Sequence, residues 1–340
     1  MKPTPTITLI ISMWIFSGWD VTQAVEPRPG SSFKEWCETQ ANLSAEVRKT
    51  VELLLAEAGT TDCERATQNL SIRNELNLGH YEITDIRPLA ELTNLNSLDL
   101  RNNQIKDVTP LSRLKNLNVL SLSYNQITDV KPLDKLTNLT ELSLHKNQIK
   151  DVNPLAKLTN LKGLNLNTNQ IKDVSPVAKL TNLNWLYLHN NQITDVTPLA
   201  VLTNLTQLRL DDNQIQNISS LAVLTNLNSL ALGNSITDVT PLAELTNLTA
   251  LYLDNNKIQD VTPLAKLTNL EKLYLSYNEI TDISPLSSLT NLYELNLTGN
   301  PIARPICPVS PPDVCEFEYF PPQRVRLLQP PYEPLAHHAF

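Results

Sequence analysis

The sequence predicts an α/β solenoid, a protein built by stacking many copies of one short structural unit. A leucine that opens a Leu-x-Leu pair recurs from Leu76 to Leu295 at steps of 22 residues, with a single step of 21 from Leu230 to Leu251. A fixed period in this range is typical of a repeat architecture. The alternation inside each pair is that of a short strand with one buried face. One unit cannot bury its apolar side alone, so we expect the units to stack as a parallel sheet over a continuous leucine core.

Residues 95–114 show how one unit is expected to fold. Asn103 ends the strand, and its amide can satisfy backbone groups of a turn because it both donates and accepts hydrogen bonds. Asp107 is then placed to cap a short helical turn. Pro110 suits the first turn of that helix, since proline lacks the N–H group that would be left unpaired there. Each unit is therefore expected to be a strand, a turn and a short helical segment.

The step of 21 residues predicts a local irregularity. In the run LALGNSITDV, one residue is missing between Leu232 and Asn234, where Gly233 suits a tightened turn. We expect the strand ladder to continue through this repeat while the turn after the strand is pinched.

The run NQITDVTPLAVLTNL at residues 191–205 resembles the 22-residue repeat of bacterial internalins, and the likeness covers residues 76–302. The resemblance implies a curved leucine-rich repeat superhelix, right-handed, with a concave parallel β-sheet and short 3₁₀ turns on the convex side. It also implies a secreted or surface protein that binds another macromolecule. The sequence departs from internalins in having no LPxTG sorting motif, no terminal hydrophobic anchor and no space for an immunoglobulin-like domain. Covalent cell-wall attachment and invasion of host cells are therefore not expected.

The first segment, residues 1–24, is interpreted as a signal peptide. Its apolar run, residues 7–16, is too short to span a bilayer, and small residues precede a cleavage position after Ala24. The alternative is an uncleaved anchor. No cysteine follows the apolar run to carry a lipid, and no other segment is apolar and long enough to cross a membrane.

The second segment, residues 25–75, is predicted to be a helical N-terminal cap. Ser44 and Gly59 are expected to begin and end a helix with one apolar face, and residues 61–64 form a possible capping box for a second, shorter helix. This helical pair would cover the open end of the leucine core in the repeat array, residues 76–302.

The C-terminal cap and proline-rich tail, residues 303–340, should close the other end of the core, with Phe317 and Phe320 packed on the last repeat. The four cysteines lie outside the repeats, one pair in each cap: Cys37 with Cys63, and Cys307 with Cys315. Behind a signal peptide, this arrangement predicts two disulfide bonds. The alternatives are four reduced buried thiols or zinc ligands, and the spacing within each pair is not the one zinc sites prefer.

Charge and composition give no indication of a catalytic site or a metal site. The net charge is −8 without an evident basic cluster, so nucleic acid and anionic membranes are not expected partners. His145 and His189 occupy the same position two repeats apart, which at ~4.8 Å per strand is too far to share a metal ion. The recurring aspartates are explained by their capping role and not by calcium binding. We therefore expect no catalytic site, no cofactor and no metal.

The exposed face of the predicted sheet carries the candidate binding site. Residues on either side of the central leucine of each strand face solvent there, and most of the aromatic residues in the array fall on that face, as in protein interfaces. The candidate ligand-binding residues are Tyr124, His145, Trp185, Tyr187, His189, Arg209, Asp211, Tyr252, Tyr274 and Tyr277. The small residues Ser229 and Ala231 predict a shallow dip between two aromatic clusters. The alternative is that scattered surface aromatics have no function.

These features predict a secreted, periplasmic or non-covalently surface-bound protein, acting as a monomer, that binds a protein or a glycan on its concave face. One alternative is a structural or assembly role in a cell envelope. Another is a regulatory subunit of an enzyme, which the signal peptide and the cap cysteines disfavour.

Overall fold

The computed structural model describes residues 26–28 and 30–317. The predicted signal peptide and the tail from residue 318, including Phe320, lie outside the described residues. Twelve parallel strands form one sheet in chain order. They are β1 (Glu75–Asn77), β2 (Ser97–Asp99), β3 (Val119–Ser121), β4 (Glu141–Ser143), β5 (Gly163–Asn165), β6 (Trp185–Tyr187), β7 (Gln207–Arg209), β8 (Ser229–Ala231), β9 (Ala250–Tyr252), β10 (Lys272–Tyr274), β11 (Glu294–Asn296) and β12 (Cys315–Glu316).

A 3₁₀ turn follows most strands on the opposite side of the leucine core. These turns are Arg87–Leu89, Thr109–Arg113, Lys131–Lys135, Asn153–Lys157, Ser175–Lys179, Thr197–Val201, Ser219–Val223, Thr240–Glu244, Thr262–Lys266, Ser284–Ser288 and, after β11, Pro312–Val314. The predicted leucine-rich repeat solenoid is confirmed. In the part of the chain that the structure describes, no helix is long and apolar enough to cross a membrane.

Every strand pairs in register with its neighbours, so the central leucines form one continuous row. Leu98 pairs with Leu76 on one side and Leu120 on the other. Leu142 and Leu164, further along the row, are 0 % exposed. The 22-residue period therefore places equivalent side chains of all repeats in straight rows, about 4.8 Å apart along the sheet.

The asparagine after each strand satisfies the turn as the sequence predicts. Asn103 donates from Nδ2 to the carbonyls of Leu78 (2.8 Å) and Leu100 (2.9 Å). Its Oδ1 accepts the N–H group of Ile83 at 2.8 Å. Since the same contacts recur in successive repeats, buried backbone groups are paired along the whole ladder.

The aspartate before most of the 3₁₀ turns also acts as predicted, and Asn217 takes its place before one of them. Asp107 Oδ1 accepts the N–H group of Thr109 at 2.8 Å, and Pro110 lies in the first turn. The equivalent hydrogen bonds hold the pKa values of Asp173 and Asp282 below the usual range of an aspartate carboxyl group.

The short repeat keeps its strand and loses one special backbone position. Strand β8 pairs in register with β7 and β9, so the predicted continuity of the ladder is confirmed. In other repeats the residue after the strand segment has a left-handed backbone, for example Asn102 at φ 54° and Asp212 at φ 53°. The short repeat lacks the residue that would occupy this left-handed position, and Gly233 does not adopt the left-handed conformation. A Cβ atom on Gly233 would lie 3.0 Å from the carbonyl oxygen of Asp254, so glycine is needed for space.

The N-terminal cap contains three α-helices, α1 (Phe33–Glu38), α2 (Ala45–Ala58) and α3 (Cys63–Ser71). Helices α2 and α3 are the predicted pair, and α1 is an additional helix. The capping box lies at α1, between Ser32 and Glu35. The expected box at residues 61–64 is wrong, because Asp62 caps α3 through the N–H group of Arg65 at 2.8 Å. A carboxylate one residue later is the stronger N-cap acceptor.

The boundaries of α2 are those expected from the sequence. Ser44 occupies its N-cap position, although its side chain makes no capping hydrogen bond. Gly59 ends the helix with a left-handed φ of 69°. The hydroxyl of Thr50 donates to the carbonyl of Asp85 at 2.6 Å and ties the cap to the first repeat.

Both predicted disulfides are confirmed, each with a Cα–Cα distance of 5.6 Å: Cys37 with Cys63 and Cys307 with Cys315. Strand β12 extends the sheet beyond β11. Phe317 packs against the end of the leucine core, as expected.

Candidate ligand-binding face

The concave face consists of the side chains that point from the strands away from the leucine core. On β6, Trp185 and Tyr187 flank the buried Leu186 and are both partly exposed. A third position, the residue after the next leucine, lies just beyond each strand, as His189 does in this repeat. The predicted binding residues occupy these three positions, except for Tyr124 and Tyr277, which lie one residue further along, in the turn.

Trp185 rests on the neighbouring strand. A Cβ atom on Gly163 of β5 would lie 2.0 Å from Cε2 and Cζ2 of the indole, so only glycine leaves room for the ring. The indole centroid lies 5.1 Å from the ring of Tyr187. The Tyr187 hydroxyl in turn donates to Gln207 Oε1 at 2.6 Å. The aromatic pair is therefore held from both sides, and Gly163 and Gln207 are two site residues that sequence reasoning missed.

Arg209 forms its ion pair with Asp211 on the same strand face. The guanidinium donates from Nε and Nη2 to the two carboxylate oxygens at 3.3 and 3.1 Å. Asp211 is 8 % exposed, so it orients Arg209 instead of meeting a ligand directly. Asp211 pairs with Arg209 and not with His189, which lies at the equivalent position of the preceding repeat. Residues two apart on a strand share a face, and this proximity favours the Arg209 pair.

The two histidines of the face are neutral side chains in partly buried positions. His189 Nε2 lies 2.6 Å from Asn167 Nδ2, while its buried Nδ1 has no partner within residues 26–28 and 30–317. Burial lowers the pKa of His189 to about 4, against the opposing charge of Asp211. Burial, followed by the charge of Lys146, lowers the pKa of His145 to about 4. Both rings therefore act at neutral pH as uncharged hydrogen-bonding groups.

Tyr124 and His145 form a small separate cluster nearer the N-terminal end. Their rings meet edge to face with centroids 4.7 Å apart. The Lys146 ammonium lies 4.6 Å from the Tyr124 ring centroid, a cation–π contact. Tyr124 is 44 % exposed and sits in a left-handed turn at φ 55°. This cluster lies at the edge of the concave face and not at its centre.

Tyr252 and Tyr274 form the second aromatic cluster. Their rings stack on adjacent strands with centroids 4.9 Å apart and planes at 21°. The Tyr274 hydroxyl donates to Glu294, which also pairs with Lys272 at 3.4 Å. Burial, then the hydrogen bond to Glu294, raise the pKa of Tyr274 well above its usual value. Tyr274 is therefore a fixed donor, and Glu294 and Lys272 are further residues that the sequence did not single out.

Between the two aromatic clusters, Ala231 is only 2 % exposed while Ser229 is partly exposed, and the shallow dip expected there stays a prediction. Burial raises the pKa of Tyr252, and the charges of Lys272 and Arg209 oppose this shift. The side chains from Trp185 to Tyr274 lie on one face of the sheet, on strands β6 to β10. We call this surface the aromatic patch.

Tyr277 lies beside the aromatic patch, at the turn edge. It is 50 % exposed, and its ring packs over Gly299, where a Cβ atom would lie 2.7 Å from Cδ1. A different exposed pair, Val201 and Val223, lies on the convex side at 54 % and 53 % exposure. Their position carries a charged residue in most other repeats, for example Lys179, and this change in the repeat was the available sequence signal.

The described residues contain no cluster of three or more His, Cys, Asp or Glu side chains that could hold a metal ion. The pockets along the sheet are shallow and open. The chemistry of the aromatic patch is that of an interface: aromatic rings, one guanidinium and several oriented hydrogen-bonding groups.

The sequence matches the family described as Leucine Rich repeats (2 copies) at residues 74–113, 115–157, 137–179, 181–223, 225–266 and 268–310. These family matches together cover more than half of the chain. No protein with a curated description matches the chain in sequence.

Several solved structures share the fold. An internalin (InlF) of Listeria monocytogenes has a TM-score of 0.65 and 36 % identity, over 75 % of this chain and 82 % of that one. Internalin C2 of the same species has a TM-score of 0.52 and 36 % identity, over 68 % of this chain and 91 % of that one. The Arabidopsis receptor kinase HAESA has a TM-score of 0.59 and 26 % identity, over 66 % of this chain and 42 % of that one. The chain therefore belongs to the leucine-rich repeat family, as an internalin-like bacterial member built as a protein–protein interaction module.

Proposed function

We propose that this chain is an exported binding protein whose aromatic patch recognises a protein ligand on the concave face. The observation that carries the proposal is the mutual fixation of the patch residues. Tyr252 and Tyr274 are stacked, and the Tyr274 hydroxyl is bonded to Glu294. Arg209 is oriented by Asp211. Side chains that are already ordered lose little conformational entropy on binding, which favours affinity.

The location of the patch supports the same conclusion. Tyrosine, tryptophan and arginine are enriched at the energetic centres of interfaces, and all three lie on β6 to β10. Strands β2 to β4 carry no tyrosine, tryptophan or arginine at the two positions that flank the central leucine, which hold Ser97, Asp99, Val119, Ser121, Glu141 and Ser143. A ligand centred on β6 to β10 would therefore meet most of the anchoring side chains of the face.

Related proteins are consistent with a polypeptide ligand. HAESA, which shares the fold, is described in complex with a peptide hormone and a co-receptor. Export is supported by the disulfide in each cap, because such bonds persist in oxidising compartments. Fractionation of the native cells, with thiol labelling of the protein in each fraction, tests this part. Free cap cysteines in a cytosolic fraction would contradict export.

Ligand capture tests the patch. The full chain is used as bait in cross-linking pull-downs from its native surroundings, beside a Tyr252→Ala, Tyr274→Ala double variant. The matched control is Tyr81→Ala, which removes an equally large ring that is 42 % exposed in the first repeat. We expect one protein to be captured by both the native chain and the control. Its binding to the double variant should be weaker by ~2 kcal/mol or more. Equal capture by all three would place the interface elsewhere, with the Val201 and Val223 pair as the next candidate.

A further inference from the structure

An open groove of about 490 Å³ runs along the edge of the sheet where the strands begin, beside the aromatic patch. It is lined entirely by polar side chains from five consecutive repeats, with Asn160, Lys162, Asn182 and Asn184 at its centre. Four steps of ~4.8 Å between strands give a length of roughly 19 Å along the sheet. The groove is therefore suited to an elongated polar ligand.

The amides of the groove are only partly used by the protein. Asn160 donates from Nδ2 to the carbonyl of Thr137, and Asn182 to that of Thr159, each at 2.9 Å. Their Oδ1 atoms accept no hydrogen bond from any residue within 26–28 and 30–317. Each carboxamide keeps acceptor capacity and one N–H bond for a ligand, a combination that matches hydroxyl groups.

A charged residue lines the centre of this groove, and an aromatic residue directly follows one of its asparagines in the chain. Lys162 is exposed and has no ion-pair partner among the residues that the structure describes. The next residue, Gly163, carries the indole of Trp185 over its Cα atom, and Trp185 follows Asn184 of the groove. The aromatic surface, the ammonium group and the free amides therefore converge on two neighbouring repeats.

The surrounding repeats favour an anionic ligand. Residues 104–180 carry eleven Lys and Arg against six Asp and Glu, whereas residues 181–302 carry four against eleven. The chain as a whole is acidic, so this half of the array is a local exception. Lys162 therefore lies where the long-range field attracts negative charge.

We propose that this groove binds an acidic oligosaccharide, with one sugar ring on the Trp185 indole and a uronic carboxylate at Lys162. A pyranose has an apolar C–H face for an aromatic ring and equatorial hydroxyls for the amides on either side. The repeat spacing offers equivalent amides to successive sugar residues. This second ligand class shares Trp185 with the aromatic patch, and its recognition does not require the protein ligand proposed above.

The test is calorimetric titration of the full chain with a galacturonic acid tetrasaccharide and, as the neutral counterpart, a galactose tetrasaccharide. We expect saturable binding of the acidic sugar and a change in indole emission that is lost in Trp185→Phe. Trp36 is 0 % exposed and should not report on the sugar. Binding should weaken about tenfold or more in Lys162→Met, as expected for losing a charge-assisted contact.

Two further variants separate this site from its surroundings. Gly163→Val should displace the indole and weaken the acidic sugar, while Lys179→Met removes an exposed lysine outside the groove and should leave binding unchanged. The Tyr252→Ala, Tyr274→Ala variant should also bind the sugar fully, so loss of protein capture and loss of sugar binding are distinguishable. Absence of saturable binding, equal binding of the neutral sugar, or equal effects of Lys162→Met and Lys179→Met would overturn the proposal. Thermal melts of each variant confirm that the fold is intact.

Discussion

The buried asparagine ladder gives the sharpest prediction for the fold. Asn147 lies mid-array at 9 % exposure and donates to the carbonyls of Leu122 and Leu144, both at 3.0 Å. Its Oδ1 accepts the N–H group of Ile127 at 3.0 Å. The Asn147→Ala substitution removes all of these bonds without adding a group that could replace them.

The structure shows which of these losses is severe. The carbonyl of Leu122 also accepts from Asn125 at 3.0 Å, and that of Leu144 from Asn169 at 3.1 Å. Both carbonyls therefore keep a partner, whereas the Ile127 N–H group is left buried and unpaired. One orphaned buried donor costs about 1–3 kcal/mol, and weakening two carbonyls adds to this, so we expect a loss of about 2–4 kcal/mol.

The assay is urea unfolding followed by circular dichroism, with both disulfides intact. The matched control is Asn269→Ala, which removes a single exposed hydrogen bond to the carbonyl of Thr246 at 2.9 Å. This control should change the free energy of unfolding by no more than about 0.5 kcal/mol. A loss below about 1 kcal/mol in Asn147→Ala, or an equal loss in the control, would refute the assigned role of the ladder.

Three other predictions concern the caps, the histidines and a turn. Removing the Cys37–Cys63 bond, which closes a separation of 26 residues, should cost about 3–4 kcal/mol in denaturant unfolding, and no loss would show that the cap is already rigid. Because burial holds the pKa of His189 near 4, below its unfolded value, stability should fall as the pH drops from about 6.5 toward 4. His189→Gln should flatten this slope, and an NMR titration with a pKa near 6.5 would contradict it. Gly299→Ala should lower stability by about 1–2 kcal/mol in a melt, since φ is 74° and its Cβ would press on Tyr277; an unchanged melt would show that this turn is adaptable.

The repeat made much of the backbone predictable. The 22-residue period fixes the register, so Asn103 and Asp107 could be assigned roles from one unit and extended to the others. Helix α1 could not be foreseen, because six residues outside the repeats carry no periodicity to read. The cap of α3 lies one residue later than expected, because Asp62 is a stronger N-cap acceptor than Thr61.

The candidate face was located from the sequence, while its internal contacts were not. Strand alternation placed Trp185 and Tyr187 on one side of the sheet, as observed. The pairing of Arg209 with Asp211 had a sequence signal, since residues two apart on a strand share a face, but the pairing was not predicted. The stacking of Tyr252 on Tyr274 depends on side-chain rotamers, and residue identity does not determine those.

Footprinting of the full chain, with and without its captured protein ligand, tests the recognition of a ligand by the aromatic patch most directly. Hydroxyl-radical labelling followed by mass spectrometry reports the exposure of each aromatic side chain. We expect protection of Tyr187, Tyr252 and Tyr274 on binding, with Tyr81 unchanged. Protection confined to the convex side, around Val201 and Val223, would contradict it.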